Sequence, residues 1–180
     1  MLGLLRRNRH ERTGYELYGI AVAAARDLHF YTALGVPDTL DGRFDLVGLH
    51  AWLLIRRLRA LPPPGAPLAQ AVFDAMFSDM DVNLREMGVG DLSVGKKVRA
   101  MWEAFHGRAN AYDAALSAGD HAALTEALTR NIWRGAEPPQ GAAESLLRLT
   151  LAQDAHLSTQ TLANLAAGRA TFLPAETAAR

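Results

Sequence analysis

Apolar residues recur at three- and four-residue steps along most of the chain, which is the spacing of one face of an α-helix. The clearest case covers residues 68–87, where leucine, valine, phenylalanine and methionine recur at this period. Residues 43–61 are apolar on almost every side, which predicts a helix buried in the core. No segment shows convincing β-strand alternation. The pattern therefore predicts an all-α protein, a single-domain bundle of about seven helices.

Turn and capping residues divide this pattern into separate helices. The predicted helices cover residues 14–26, 29–34, 43–61, 68–87, a segment capped by Asp91 or Ser93 that reaches residue 116, a segment capped by Asp120, and residues 142–167 with a break near Ser158. Pro37 and the Asp41-Gly42 pair predict a loop, and the proline-rich residues 62–67 predict an extended connector. We expect a helical domain over residues 13–180, preceded by a basic arm over residues 1–12.

Composition narrows the class of protein. The chain has 180 residues, of which 49% are apolar and 21% charged, as is usual for a globular domain with its own core. It has no cysteine, which excludes disulfides, thiol catalysis and cysteine-ligated metals. Its formal net charge is zero, and no apolar run approaches the about 20 residues that span a bilayer. We therefore expect no nucleic-acid specificity and at most peripheral contact with a membrane.

The first twelve residues form a short basic segment with four arginines and one glutamate. The apolar stretch before the arginines is far shorter than the core of a signal peptide. Two interpretations remain open for this arm: a frayed and solvated terminus, or a weak contact with a membrane surface or a partner.

Gly90, Gly95 and Lys96 have the spacing of a phosphate-binding loop. That loop also needs a serine or threonine after the lysine, to hold magnesium, and a strand before it. Lys97 follows instead, and the preceding segment is an amphipathic helix. The sequence therefore argues against nucleotide binding. A weaker hypothesis remains: the basic residues at the start of the following helix can bind an anion or an acidic partner.

Other constellations that carry chemistry are incomplete. Glu103 and His106 have the spacing of one half of a carboxylate-bridged di-metal site, but the second half is missing. His50 lies in the apolar helix, where a hydrogen-bonded core histidine is the better interpretation. The methionine and phenylalanine stripe of residues 68–87 is typical of a core, with an adaptable interface as the alternative. We predict no catalytic residue, no metal site and no cofactor.

Charge changes sign at the glycine-containing turn. Residues 74–91 carry five acids and only one base, whereas residues 96–108 carry four bases and one acid. Adjacent helices of opposite charge can neutralise each other in a hairpin. They can also present a surface of both signs, which orients a partner.

Two long motifs resemble the ubiquinol–cytochrome c chaperone family. They are F-Y-T-A-L-G-V-P-D-T-L-D-G-R-F at residues 30–44 and F-D-A-M-F-S-D-M-D-V-N-L-R-E-M-G-V-G-D-L-S-V-G-K-K-V at residues 73–98, with Leu49-His50 between them. The resemblance covers residues 14–116 and is looser after Asp120. His106 departs from it, because the family pattern F-Y-G-R has tyrosine at this position. That departure also weakens the metal interpretation.

The resemblance implies a non-enzymatic assembly chaperone that binds cytochrome b, or an early intermediate of the cytochrome bc complex. A small co-chaperone and a ribosome contact are further partners of mitochondrial members. It implies a cytoplasmic protein, peripheral at the inner face of the cytoplasmic membrane. We expect partner contacts at Asp38, Asp41, Arg43, Lys96, Lys97, Arg99 and Arg108. The alternative is a helical carrier or enzyme for a hydrophobic small molecule such as a quinone or lipid.

Overall fold

The structure, a computed structural model, describes residues 2–179, with side chains from His10 onward. The helices of this part are α1 (Leu2–Ala25), α2 (Leu28–Thr32), α3 (Leu40–Arg59), α4 (Gly65–Glu86), α5 (Asp91–Ala118), α6 (His121–Ile132), α7 (Ala142–Ser158), α8 (Leu162–Ala166) and α9 (Ala175–Ala178). No strand occurs between residues 2 and 179, so the all-α prediction is confirmed. Six long helices and three short ones agree with the expected number of about seven.

The centre of the bundle is α3, which contacts α1, α4, α5, α6 and α7. Leu46, Leu49 and Leu53 are all 1% exposed or less, and Trp52 between them is also buried. Burial on nearly every side of α3 confirms the interpretation of its apolar sequence. Because five helices surround it, side chains on α3 can reach several other elements of the fold.

Helices α1 and α4 pack closely along their length. A Cβ atom added to Gly14 would lie 2.5 Å from the carbonyl oxygen of Ala71, so the backbones meet where both residues are small. One turn further along α1, the Tyr18 hydroxyl donates a hydrogen bond of 2.7 Å to Asp79. Helices α1 and α4 are therefore held together by close backbone packing and by a side-chain hydrogen bond.

Several helix ends follow the sequence signals. Asp120 caps α6 by accepting a 2.9 Å hydrogen bond from the backbone N–H of Ala123. Gly88 follows α4 with a φ of +79°, a conformation that glycine adopts without strain. The predicted break near Ser158 is also present, because α7 ends there and α8 is separate.

Three boundary predictions are wrong. Asp41-Gly42 is not a turn but part of the first turn of α3, because Thr39 caps the helix by accepting a 3.1 Å hydrogen bond from the Gly42 N–H. Helix α4 begins at Gly65, inside the predicted connector, since Pro67 is tolerated in a first helical turn that needs no backbone donor. Helix α1 begins well before residue 14. The basic arm predicted over residues 1–12 lies largely outside the residues whose side chains are described.

His50 is a core residue, as predicted. It is 1% exposed, and its Nδ1 donates a 2.8 Å hydrogen bond to the carbonyl oxygen of Leu46. The rings of Phe30 and Phe172 meet it edge-on at centroid distances of 5.4 and 5.2 Å. Burial lowers the pKa of His50 to about 4, so the imidazole is neutral at pH 7.

Candidate functional site

A groove of about 740 Å³ lies between α1, α2, the start of α3 and the end of α4. Its apolar lining comes from all four elements and includes Val22, Leu28, Leu40, Phe44, Val47 and Met80. Leu28 is 73% exposed and Leu40 59%, so both stand at the open rim. Exposed leucines beside a groove are typical of a binding surface, whereas leucines of a hydrophobic core are buried.

Charged groups edge the same groove. Arg43 and Asp38 form a pair with 2.6 Å between Nε and Oδ1, and both side chains are more than half exposed. The hydrogen bond from Arg43 lowers the pKa of Asp38. Deeper in the groove, burial and then the hydrogen bond to Asp79 raise the pKa of Tyr18, which therefore stays protonated. Arg26 adds a second cation to the lining. The groove thus combines an apolar floor with a rim of both charge signs.

The segment that carries Asp38 is held by a close backbone contact. A Cβ atom added to Gly42 would lie 2.1 Å from the carbonyl oxygen of Pro37, so any larger residue would push the loop away. The Thr39 cap closes the same turn, and the Thr39 N–H donates a 2.8 Å hydrogen bond to that carbonyl. The D-T-L-D-G sequence therefore fixes the position of Asp38 relative to the start of α3.

A second cluster of charge lies under the start of α3. The Asp45 side chain is 1% exposed and is bonded by Arg108 of α5 and by Arg134, which follows α6. Arg134 also reaches Asp41, with 2.9 Å between the guanidinium and Oδ2. Asp41 and Arg108 thus belong to one ion-pair network, centred on the buried Asp45, that joins α3, α5 and the segment after α6.

Sequence reasoning missed Asp45 and Arg134, the centre of this network. The one available signal was an aspartate within the apolar sequence of α3, which requires a partner when it is buried. Which arginines would supply that partner follows only from the packing of α5 and of the segment after α6.

The remaining predicted residues lie on α5. Lys96, Lys97 and Arg99 are exposed, and Arg99 pairs with Glu103 at 3.0 Å. Lys96 and Lys97 form no ion pair with any side chain that the structure describes. None of the three lines the groove. The seven predicted residues therefore divide among the groove rim (Asp38, Arg43), the Asp45 network (Asp41, Arg108) and the exposed face of α5 (Lys96, Lys97, Arg99).

The structure also shows the surroundings of the two motifs that were rejected as sites of chemistry. Gly90 and Lys96 lie at the junction of α4 and α5, where a helix precedes the turn instead of a strand. Glu103 is engaged by Arg99. The His106 ring packs against Trp102, at a centroid distance of 3.9 Å.

The family model described as "Ubiquinol-cytochrome C chaperone" matches residues 32–172. The chain belongs to this family. The match includes Asp38, Leu40 and Arg43 of the groove rim, the Asp45 network and α5, and it extends through α7 and α8, beyond the region where the motifs are most recognisable.

Relatives of this family member come from both eukaryotes and bacteria. Yeast "Protein CBP3, mitochondrial" is 30% identical over 81% of this chain and 44% of its own. The "Ubiquinol-cytochrome-c reductase complex assembly factor 1" of Xenopus laevis is 26% identical over 57% of this chain and 51% of its own. The chain therefore spans about half the length of the curated relatives it matches.

A crystal structure of the Cbp3 homolog from Brucella abortus has the same fold. Its TM-score to this chain is 0.83, with 37% identity, and the alignment covers 97% of both chains. In this family member, no helix within residues 2–179 has the length and apolarity required to cross a membrane.

Proposed function

We propose that this protein is a non-enzymatic assembly chaperone of the ubiquinol–cytochrome c reductase complex, and that its client is cytochrome b or an early assembly intermediate that contains it. Family membership supports the chaperone role. The groove carries the proposal for the client, because it is the large apolar concavity to which two leucines that are more than half exposed contribute. A surface of this kind is costly to leave in water unless a partner covers it.

The size of the groove suits a helical segment. Two turns of α-helix, a cylinder about 10 Å wide and 11 Å long, occupy roughly 850 Å³, close to the 740 Å³ of the groove. An apolar helix laid in a hydrophobic groove is a recurring mode of recognition, with anchors on one helical face. A membrane protein before insertion and assembly offers such helices.

The rim would then set orientation. The Asp38–Arg43 pair and Arg26 stand beside the apolar lining and can meet polar residues that flank an apolar helix. Exposed charges of this kind contribute little to affinity but discriminate between directions of binding. The predicted partner role of Asp38 and Arg43 is assigned to this rim.

The experiment replaces Leu28 and Leu40 with glutamate and measures cytochrome b that copurifies from detergent-solubilised membranes. Both leucines are more than half exposed, so the fold should be retained, as circular dichroism will verify. We expect roughly tenfold less cytochrome b, because two apolar contacts are lost. The matched control introduces glutamate at Arg59 and Arg130, which are exposed and lie outside the groove. Equal recovery of cytochrome b with the groove variant and the control would contradict the proposal.

A groove of this volume is also within the usual range for small-molecule sites, which keeps the carrier alternative testable. Organic extraction of the purified protein and mass spectrometry would reveal a bound quinone or lipid. A stoichiometric ligand that the Leu28 and Leu40 variant no longer retains would favour the carrier over the chaperone.

A further inference from the structure

Large apolar side chains are also exposed at a second place, outside the groove lining. Val82, Met87, Leu92 and Trp102 are between 45% and 100% exposed, and none of them lines the groove. All four belong to residues 82–102, the end of α4, the turn and the first turns of α5. We call this region the α4–α5 corner.

Leu92 is the extreme case, since it is 100% exposed in the first turn of α5. Trp102 is 45% exposed and follows ten residues later, about 15 Å along the helix. The buried face of α5 is the opposite one, defined by Val94 and Phe105. Leu92 therefore projects from the outer half of the helix, away from the bundle, whereas Trp102 lies on the flank between the outer and the buried faces.

The charge on this outer half is positive. Lys96 and Lys97 are the two lysines of the whole chain, and both are exposed between Leu92 and Trp102. Arg85 forms ion pairs with Asp81 of α4 and with Asp91 at the start of α5. Glu86 remains as an exposed acid on the α4 side. The surface of α5 thus combines projecting apolar groups with two ammonium groups that have no ion-pair partner among the described side chains.

We propose that the α4–α5 corner docks on the surface of a bilayer that contains anionic lipids. Leu92 enters the boundary between headgroups and acyl chains, Trp102 lies at the level of the headgroups, and Lys96 and Lys97 contact lipid phosphates. Tryptophan favours membrane interfaces, and lysine can bury its aliphatic stem while its ammonium group stays in water. None of the residues placed in the lipid lines the groove.

A lipid surface fits these observations better than a protein partner does. A protein partner would match an apolar anchor with a pocket and arginine forks with carboxylates. The corner instead offers a leucine that stands clear of its own protein, and flexible lysines in a chain whose other basic residues are arginines and histidines. Each lysine held near an anionic surface raises binding roughly fivefold, so the pair contributes roughly 30-fold.

The test is co-sedimentation of the full chain with vesicles of phosphatidylcholine alone and of phosphatidylcholine mixed with phosphatidylglycerol. We expect binding to the anionic vesicles that weakens as salt is added. Lys96→Glu with Lys97→Glu should weaken it at least roughly 30-fold, and Leu92→Ser roughly tenfold. The matched control reverses the exposed Arg59 and Arg130 and should bind like the wild type.

Fluorescence gives a second and local measurement. Trp52 and Trp133 are each 2% exposed, so Trp102 is the tryptophan that brominated lipids can quench. Quenching by brominated anionic vesicles is expected in the wild type and should be lost in Trp102→Phe. Two results would overturn the proposal: no binding of the wild type to anionic vesicles, or full binding by the variant with both lysines reversed, which would move the contact to another part of the chain.

Discussion

Asp45 and Arg134 are joined by two hydrogen bonds, 2.5 Å from Nε to Oδ2 and 3.0 Å from an Nη nitrogen to Oδ1. Arg108 adds a third bond to the same carboxylate from α5. The Asp45 side chain is 1% exposed, whereas Arg134 is 42% exposed. The buried carboxylate of Asp45 therefore requires these arginines to balance its charge. Its bonds to Arg134 hold the segment after α6 against the start of α3.

Asp45→Asn should destabilise the fold strongly. The change leaves two guanidiniums against a neutral amide, and loss of one partner of a buried ion pair costs about 3 kcal/mol. Urea denaturation measures this cost. Asp38→Asn makes the same chemical change in an exposed pair and should shift the midpoint little. Similar shifts in the two variants would contradict a structural role for the Asp45 network.

Gly42→Ala should destabilise the loop that carries Asp38, because the new Cβ would meet the Pro37 carbonyl oxygen at 2.1 Å. Overpacking of this kind costs about 1–3 kcal/mol. Gly95→Ala is the matched control, since an added Cβ would have no atom within 4 Å beyond the adjoining backbone of α5. It should stabilise the protein by up to about 1 kcal/mol through helix propensity. A neutral Gly42→Ala would show that the loop moves freely.

His50 should make stability depend on pH. Its folded pKa of about 4 lies below the ordinary value of 6.5, so the unfolded chain takes up a proton first as pH falls. The stability that the neutral imidazole allows is complete above pH 6.5 and should fall by about 3 kcal/mol between pH 6.5 and 4. Denaturation across this range measures the slope. His50→Gln should flatten it, and an unchanged slope in that variant would contradict the assignment.

Reversal of charge at both Lys96 and Lys97 should lower the amount of assembled cytochrome bc complex in cells while leaving the helical content unchanged. Both side chains are exposed and make no ion pair among the described residues, so their loss does not disturb packing. Native gels of membranes and circular dichroism of the purified variant give the two measurements. Reversal of charge at Arg59 and Arg130 is the control and should have no effect. Normal assembly with the variant that reverses both lysines would contradict a role for Lys96 and Lys97.

Periodicity and caps made the helices predictable. Asp120, Gly88 and the break near Ser158 act through their own backbone and near neighbours, so the chain alone indicates them. The Asp41-Gly42 pair led to a wrong prediction for a related reason, because Asp-Gly is also a common sequence in turns. Only the Thr39 cap and the contact of Gly42 with Pro37 decide that a helix begins there.

The candidate site was less predictable, because it is made by contacts between distant segments. Asp38 and Arg43 are close in sequence, and their loop was recognised. The groove also needs Tyr18 and Asp79, which are 61 residues apart and meet through the packing of α1 on α4. Arg108 reaches Asp45 across 63 residues in the same way. Residue types and spacing do not encode which faces of the helices meet.

The most direct test of the client groove is site-specific photo-crosslinking in cells that assemble the complex. A photoreactive phenylalanine replaces Leu40 at the groove rim or, in a separate variant, Leu92 at the α4–α5 corner. Leu40 is 59% exposed and Leu92 100%, so access to solvent favours a crosslink from the control position and not from the groove. We predict a crosslink to newly made cytochrome b from position 40 and none from position 92. Crosslinks from position 92 with none from position 40 would contradict the central claim that the groove binds the client.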